Sequence, residues 1–131
     1  MKKILLDTNA YSALLKGDGK VFDILAKAEM IYMSAVVMGE LFAGFRGGSR
    51  FVANKSRLEH FLELPQVVLL GVGLETAEVY GTIKHQLKLD GKPVPLNDIW
   101  IAAHALEMGA VVVTYDTHFK QVAGLRLWDE L

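Results

Sequence analysis

Four short apolar runs limit what this chain can fold into. Each is three or four residues long, none alternates with polar residues, and they lie far apart, at 4–6, 31–33, 67–70 and 111–113. A strand buried on both faces has this continuous apolar character, whereas a strand with one face in water alternates. Segments with helical patterns separate the runs. The sequence therefore predicts an α/β fold with a parallel sheet covered by helices on both faces.

The segments between the strands have the spacing and stop signals of helices. We predict helices at residues 9–16, 21–28, 35 to about 45, 51–64, 75 to about 89, and 96 or 97 to 108. Ser34 is a natural N-cap for the third of them. A turn or short helix is expected at 117–122 and an edge strand at 125–128. The 131 residues suffice for one domain with a real core, and no linker divides them.

Composition excludes several classes of function. The chain has no cysteine, which excludes disulfides and thiolate metal sites and fits a reducing cytoplasm. No apolar run is long enough for a signal peptide or a membrane span, so we expect no membrane association. A formal net charge of −1 argues against simple coating of nucleic acid, but not against an enzyme with a local basic patch. Hydrophobic residues make up 52%, so either the core is thoroughly buried or an apolar surface meets a partner.

Four acidic residues occupy unusual places in this pattern. Asp7 and Asp116 each follow a buried strand, and the carboxyl ends of parallel strands meet at one sheet edge, where ligands bind. Asp98 lies in the first turn of a predicted helix. Glu40 falls within the apolar stripe of another helix, where an unpaired carboxylate is costly. The pattern indicates that these acids converge.

Each acid also has a simpler explanation. Asp7 is a natural turn or cap residue, Asp98 and Asp116 could cap helices, and Glu40 could pair with Arg46 or a lysine. Taken together, however, converging acids repel one another. Two carboxylates about 4 Å apart cost roughly 4 kcal/mol at an effective dielectric near 20, so a cation must offset the repulsion.

Oxygen ligands without cysteine favour Mg²⁺ or Mn²⁺. The chemistry that such a site suits best is hydrolysis of a phosphodiester by a metal-activated water. Thr8, Asn9, Asn97 and Thr114 are candidates to orient the ligands or the waters around them.

Four motifs carry a family resemblance. They are Leu-Asp-Thr-Asn at 6–9, the segment from Ser34 through Glu40-Leu41 to Gly44, residues 97–103 and residues 113–119. In this order and spacing they resemble the PIN domain and, more narrowly, the VapC-type toxins of toxin–antitoxin systems. The resemblance runs nearly the whole length and implies a single PIN domain over 1–131. Its expected fold is a three-layer sandwich with a central, mainly parallel sheet of four to five strands.

The resemblance also implies roles for the acids and for partners. It places the family's catalytic and metal-binding quartet on Asp7, Glu40, Asp98 and Asp116, with Thr114 in support. It implies an Mg²⁺- or Mn²⁺-dependent endoribonuclease, the toxin of a type II toxin–antitoxin system. A homodimer and inhibition by a small VapB-type antitoxin are expected as well.

Several basic and histidine side chains have open roles. Lys84, Lys88, Lys92 and Arg46 are candidate RNA contacts, although a solvated helix face explains the three lysines equally well. The four histidines lack metal-ligand spacing. We expect His118, two residues from Asp116, to be exposed or to cap a helix.

Other functions share parts of this pattern. A non-toxin PIN nuclease acting on other RNA or on DNA, or a catalytically dead binding module, would keep the fold. A receiver-like module, in which an aspartate accepts a phosphoryl group, would need a lysine near the last strand. Lys120 is the only nearby candidate, and the adjacent pair of acids that such pockets often have is missing.

Overall fold

A computed structural model describes residues 2–130, without the side chain of Glu130. Within this range four parallel strands form one sheet in the order β3-β2-β1-β4. The strands are β1 Lys3–Leu6, β2 Met30–Ser34, β3 Val67–Leu70 and β4 Val111–Val113. All four apolar runs are therefore strands, as predicted, and the parallel sheet confirms the predicted α/β class.

Six helices connect the strands. They are α1 Thr8–Leu15, α2 Gly19–Lys27, α3 Ala35–Gly47, α4 Phe51–Leu62, α5 Leu74–Asp90 and α6 Leu96–Met108. Short 3₁₀ helices follow at Thr117–Gln121 and Trp128–Glu130. The predicted helix boundaries lie within two residues of these. Among the described residues, no helix combines the length and apolar character needed to cross a membrane.

Local signals set the helix ends. Ser34 caps α3 as predicted, because its Oγ accepts a hydrogen bond from the backbone N–H of Val36 at 3.1 Å. Both α5 and α6 end at a glycine, Gly91 and Gly109, each with a φ of 65°. That left-handed conformation closes a helix and suits glycine, which has no Cβ.

The centre of the core is β1. Ile4, Leu5 and Leu6 have no solvent exposure, as expected of a central strand covered on both faces. In contrast, Leu69 on the edge strand β3 is 53% exposed. The sheet therefore holds β1 and the residue after it, Asp7, in its most rigid part.

The predicted edge strand at 125–128 is wrong. A single bridge pairs Val112 with Leu127, and Trp128 begins a 3₁₀ helix. The indole Nε1 of Trp128 donates a 2.6 Å hydrogen bond to the carbonyl oxygen of Thr114. A strand would be held beside β4 by a ladder of backbone hydrogen bonds. This segment instead has the single bridge and the side-chain bond of Trp128.

A fully buried histidine ties three elements together. On α6, His104 Nδ1 lies 2.8 Å from Ser34 Oγ, and its Nε2 lies 3.0 Å from the carbonyl oxygen of Gly71. Because a carbonyl only accepts, Nε2 carries the proton and Nδ1 accepts from the Ser34 hydroxyl. His104 thus holds α6, which carries Asp98, against the start of α3, which carries Glu40.

Candidate active site

Asp7 marks the carboxyl end of β1. Its backbone N–H donates to the carbonyl oxygen of Val113 at 3.0 Å, so the residue continues the β1–β4 pairing. Asp7 occupies the N-cap position of α1, but its side chain makes no capping bond. Instead its Oδ2 accepts a 2.7 Å hydrogen bond from Thr114 Oγ1, and the residue is only 3% exposed. A capping role therefore does not explain why this carboxylate is buried.

Asp98 also does not cap its helix. Pro95 is the N-cap of α6, and no side chain makes a capping bond there. Asp98 is 8% exposed, and its Oδ2 lies 3.2 Å from His118 Nδ1. The alternative of a simple capping role for Asp98 is therefore wrong.

Asp116 combines capping with a place in the site. Its Oδ1 accepts from the backbone N–H of His118 at 2.9 Å and so caps the 3₁₀ helix, as the capping alternative expected. Its own backbone N–H donates to Thr114 Oγ1 at 2.9 Å. Because Thr114 Oγ1 also bonds Asp7, one hydroxyl links the two acids that follow strands.

Glu40 reaches the same region from α3. Its Oε1 accepts from Thr8 Oγ1 at 2.6 Å, and its Oε2 accepts from Asn97 Nδ2 at 3.4 Å. The expected alternative of pairing with Arg46 is wrong, since the Arg46 guanidinium lies 3.8 Å from the ring centre of Phe51. The Glu40 carboxylate is thus held by two polar side chains, from α1 and α6, and not by a basic side chain.

Two cavities meet at the acids. The larger, about 490 Å³, is lined by Asp7, Glu40, Asp98 and Asp116 together with residues of α1 and its end, namely Thr8, Asn9, Ser12, Ala13 and Lys16. The smaller, about 390 Å³, shares three of these acids and adds Pro95, Leu96, Asn97 and His118. The structure therefore brings all four sequence-predicted acids into one open cleft.

The four supporting residues lie around this cleft. Thr114 bonds Asp7, and Thr8 and Asn97 bond Glu40. Asn9 Oδ1 accepts from the backbone N–H of Tyr115 at 3.0 Å. Each of them contacts an acid or the segment that carries one, so they have the positions expected of orienting residues.

Burial and crowding make two of the acids, Asp7 and Asp98, hard to ionise. Burial raises the pKa of Asp7 to about 6, and the charges of Asp98 and Glu40 push in the same direction. The hydrogen bonds from Thr114 and from the backbone of Thr8 offset this only in part. Burial also raises the pKa of Asp98, with Asp116 adding to the effect. A bound cation would remove this cost, because it stabilises the ionised carboxylates.

His118 is the functional candidate that the sequence did not single out. Its Nδ1 lies 2.9 Å from Asp116 Oδ1 as well as close to Asp98, although 47% of its side chain is exposed. Possible ligand atoms of Asp98, Asp116 and His118 lie within 4.8 Å of one another. The only sequence signal was its position two residues after an acid in a short helix, which is compatible with mere capping.

The predicted basic residues lie outside the acidic cavities. Lys84, Lys88 and Lys92 line a separate cavity of about 340 Å³, bounded by the link that precedes Asp98. Lys120 is exposed and lines neither cavity at the acids. The receiver-like alternative needs a lysine near the last strand, and among the described residues no such lysine lines the acidic cavities.

Comparison with known proteins agrees with this geometry. The model of the PIN domain family matches residues 4–125. The chain is 34% identical over 131 residues to the VapC ribonuclease Y4jK of Sinorhizobium fredii, covering 93% of each protein. It is 29% identical over 134 residues to the tRNA(fMet)-specific endonuclease VapC of Shigella flexneri, covering 98% of each.

A solved structure shows the same fold. The crystal structure of VapBC2 from Rickettsia felis bound to a promoter DNA fragment superposes with a TM-score of 0.83 at 26% identity, over 95% of this chain and 96% of the other. Both the sequence and the arrangement of elements thus agree over nearly the whole length. The chain belongs to the PIN domain family and, within it, to the VapC ribonucleases.

Proposed function

We propose that this protein is an endoribonuclease toxin that cuts RNA with Mg²⁺ or Mn²⁺ bound by Asp7, Glu40, Asp98 and Asp116. The observation that carries the proposal is the convergence of these four acids, from β1, α3, α6 and the end of β4, at one cleft. No lysine or arginine in the described range makes an ion pair with them. Such a cluster suits a divalent cation.

The donor set fits a hard cation. All four acids offer oxygen, which Mg²⁺ and Mn²⁺ prefer. Burial and neighbouring carboxylates raise the pKa of Asp7 and of Asp98, and a bound cation would offset both effects. When bound, the ion lowers the pKa of a coordinated water and stabilises charge on the phosphate. PIN domain nucleases generally use a divalent metal, and the choice between Mg²⁺ and Mn²⁺ is part of the proposal.

The polar residues give the acids fixed directions. Thr114 Oγ1 donates to Asp7 Oδ2 and so fixes the direction of the Asp7 carboxylate at the cleft. Thr8 and Asn97 hold both oxygens of Glu40, which we assign to orienting the attacking water. Such supporting bonds pre-organise a site, and their loss typically costs ten- to a hundredfold in metal affinity or activity.

The substrate is expected to approach past basic residues. Lys84, Lys88 and Lys92 surround one cavity and would attract RNA phosphates, and Arg46 is assigned the same role from α3. A relative is named for cutting tRNA(fMet), so transfer RNA is the first substrate to test. Cutting of cellular RNA would take place in the cytoplasm.

Protein partners follow from the family. The Rickettsia felis structure is of a VapBC complex, which supports a small VapB-type antitoxin for this protein, and a homodimer is part of the proposal. Leu69 of β3, Val72 and Leu74 at the start of α5 are 51–78% exposed. An apolar surface of this kind is typical of a site that meets another protein.

The test is expression in a bacterial host with sequencing of RNA ends. We compare the wild type with Asp98→Asn, and use Asp23→Asn, an exposed acid on α2, as a matched control. We expect growth arrest and a defined set of RNA cuts for the wild type and the control, and neither for Asp98→Asn.

Cleavage with purified protein separates the alternatives. We expect the purified protein to cut transfer RNA. EDTA should abolish the cutting, and Mn²⁺ or Mg²⁺ should restore it. Undiminished cutting by Asp98→Asn would refute the site. Cutting of single-stranded DNA but not of RNA would favour the non-toxin nuclease.

A further inference from the structure

Lys16 is the one cationic residue among those lining the larger acidic cavity. It lies at the C-cap of α1, is exposed, and makes no ion pair with a residue in the described range 2–130. Its acidic neighbour in the sequence, Asp18, is fully engaged elsewhere. Asp18 Oδ1 caps α2 and its Oδ2 accepts from Tyr115 Oη at 2.6 Å. The Lys16 ammonium is therefore available to a ligand in the cavity.

The face of α1 explains why Lys16 reaches this cavity. Asn9, Ser12, Ala13 and Lys16 are spaced i, i+3, i+4 and i+7, which places them on one helical stripe, and all four line the cavity. Lys16, directly after the last helical residue, continues this stripe and lines the same cavity as Asp7.

The length of α1 sets how far the cation lies from the acids. Nine residue steps of 1.5 Å place Lys16 roughly 13 Å beyond Asp7 along the axis. Lys16 therefore stands at the far end of the cavity from Asp7, beyond the place where a phosphate would bind among the acids. It is close enough to contact the next phosphate of the same strand, which no bound metal would neutralise and which the acids would repel.

Resting on the proposed function, we propose that Lys16 binds the phosphate next to the scissile one as single-stranded RNA lies along α1. Lys84, Lys88, Lys92 and Arg46 line neither acidic cavity and would act farther from the cut. Lys16 is then the residue that sets how the strand lies across the acids.

The first test is the salt dependence of cleavage. We compare the wild type, Lys16→Gln and Lys16→Arg, with Lys27→Gln as a control that removes an exposed charge at the end of α2. Lys16→Gln should raise KM roughly tenfold and leave kcat within about twofold. The slope of log kcat/KM against log salt should become shallower by about 0.7, the value for one phosphate contact on a single strand. Lys16→Arg should restore both, and Lys27→Gln should match the wild type.

A change in kcat alone, or equal salt slopes for Lys16→Gln and the wild type, would overturn the assignment of Lys16 and leave the proposed function standing. If the wild type cuts no RNA, the proposed function fails by itself. Lys16 is then judged by the fluorescence anisotropy of a labelled single-stranded RNA with Ca²⁺ present. Weaker binding and a shallower slope for Lys16→Gln support the phosphate site, and equal binding refutes it.

The second test locates the phosphate. A neutral methylphosphonate replaces each phosphate flanking the cut in turn. The wild type should lose about tenfold in kcat/KM at one position, and Lys16→Gln should lose nothing further there, because the contact is already gone. Equal losses for the two proteins at every position would refute the contact.

Discussion

Replacing Asp7 by asparagine should stabilise the metal-free protein at neutral pH. Burial keeps the pKa of Asp7 at about 6, compared with 3.8 for a free side chain. At 1.36 kcal/mol per unit, this difference corresponds to about 3 kcal/mol. Asparagine cannot ionise, and its amide oxygen can still accept the hydrogen bond from Thr114. Because the buried amide N–H groups cost part of the gain, we expect a net increase in the free energy of unfolding of about 1–3 kcal/mol.

The pH dependence follows from the direction of the shift. With its raised pKa, folded Asp7 holds its proton at pH values where the unfolded chain has lost it. Its contribution to stability is therefore full below pH 3.8 and is lost as pH rises through about 6. The advantage of Asp7→Asn should be present at pH 7.5 and vanish near pH 4.

Urea unfolding in EDTA at several pH values measures this effect, with Asp23→Asn as a control at an exposed acid. Adding Mn²⁺ should remove most of this advantage, since an ion at a hundred times its Kd stabilises the wild type by about 2.7 kcal/mol and binds the variant less tightly. Equal stability of Asp7→Asn and the wild type at pH 7.5 in EDTA would show that the buried, ionised carboxylate does not destabilise the folded protein.

Three further substitutions test the supporting contacts. Thr114→Val removes the hydroxyl that orients Asp7 and should lower Mn²⁺ affinity ten- to a hundredfold in calorimetric titration; unchanged affinity would contradict its role. His118→Gln removes the ring between two acids and should lower kcat roughly tenfold in RNA cleavage, while a wild-type rate would make the ring dispensable. Ser34→Ala removes a helix cap and the partner of His104, so it should cost about 2–4 kcal/mol in urea unfolding; a loss below 1 kcal/mol would contradict the buried bond.

The strands and helices could be predicted because their signals are local. A run such as Val111–Val113 needs no distant information to be recognised as a buried strand, and Gly109 marks the end of the helix before it. The segment at 125–128 failed because its apolar residues suggested a strand. A side-chain bond from Trp128 to Thr114 and one backbone bond from Val112 to Arg126 hold the segment, and local patterns do not contain such contacts.

The convergence of the acids was predicted from topology, but the contacts around them were not. The bond between Thr114 and Asp7 joins residues 107 apart in the chain, and that between Thr8 and Glu40 joins residues 32 apart. The contact of His118 with Asp98 could not be predicted either, for a different reason. His118 is close to Asp116 in sequence, yet only the packing of the 3₁₀ helix against α6 brings its ring to Asp98.

The fastening of Trp128 to Thr114 has a consequence for the order of synthesis. Thr114 bonds Asp7 through its hydroxyl and Trp128 through its carbonyl, and β4 pairs with β1 alone among the named strands. A nascent chain that ends before this region has β1, α3 and α6 but lacks Asp116 and the bond that orients Asp7. Translation therefore delivers Thr114 and Asp116 after the other three acids, and the site cannot assemble before both have been added.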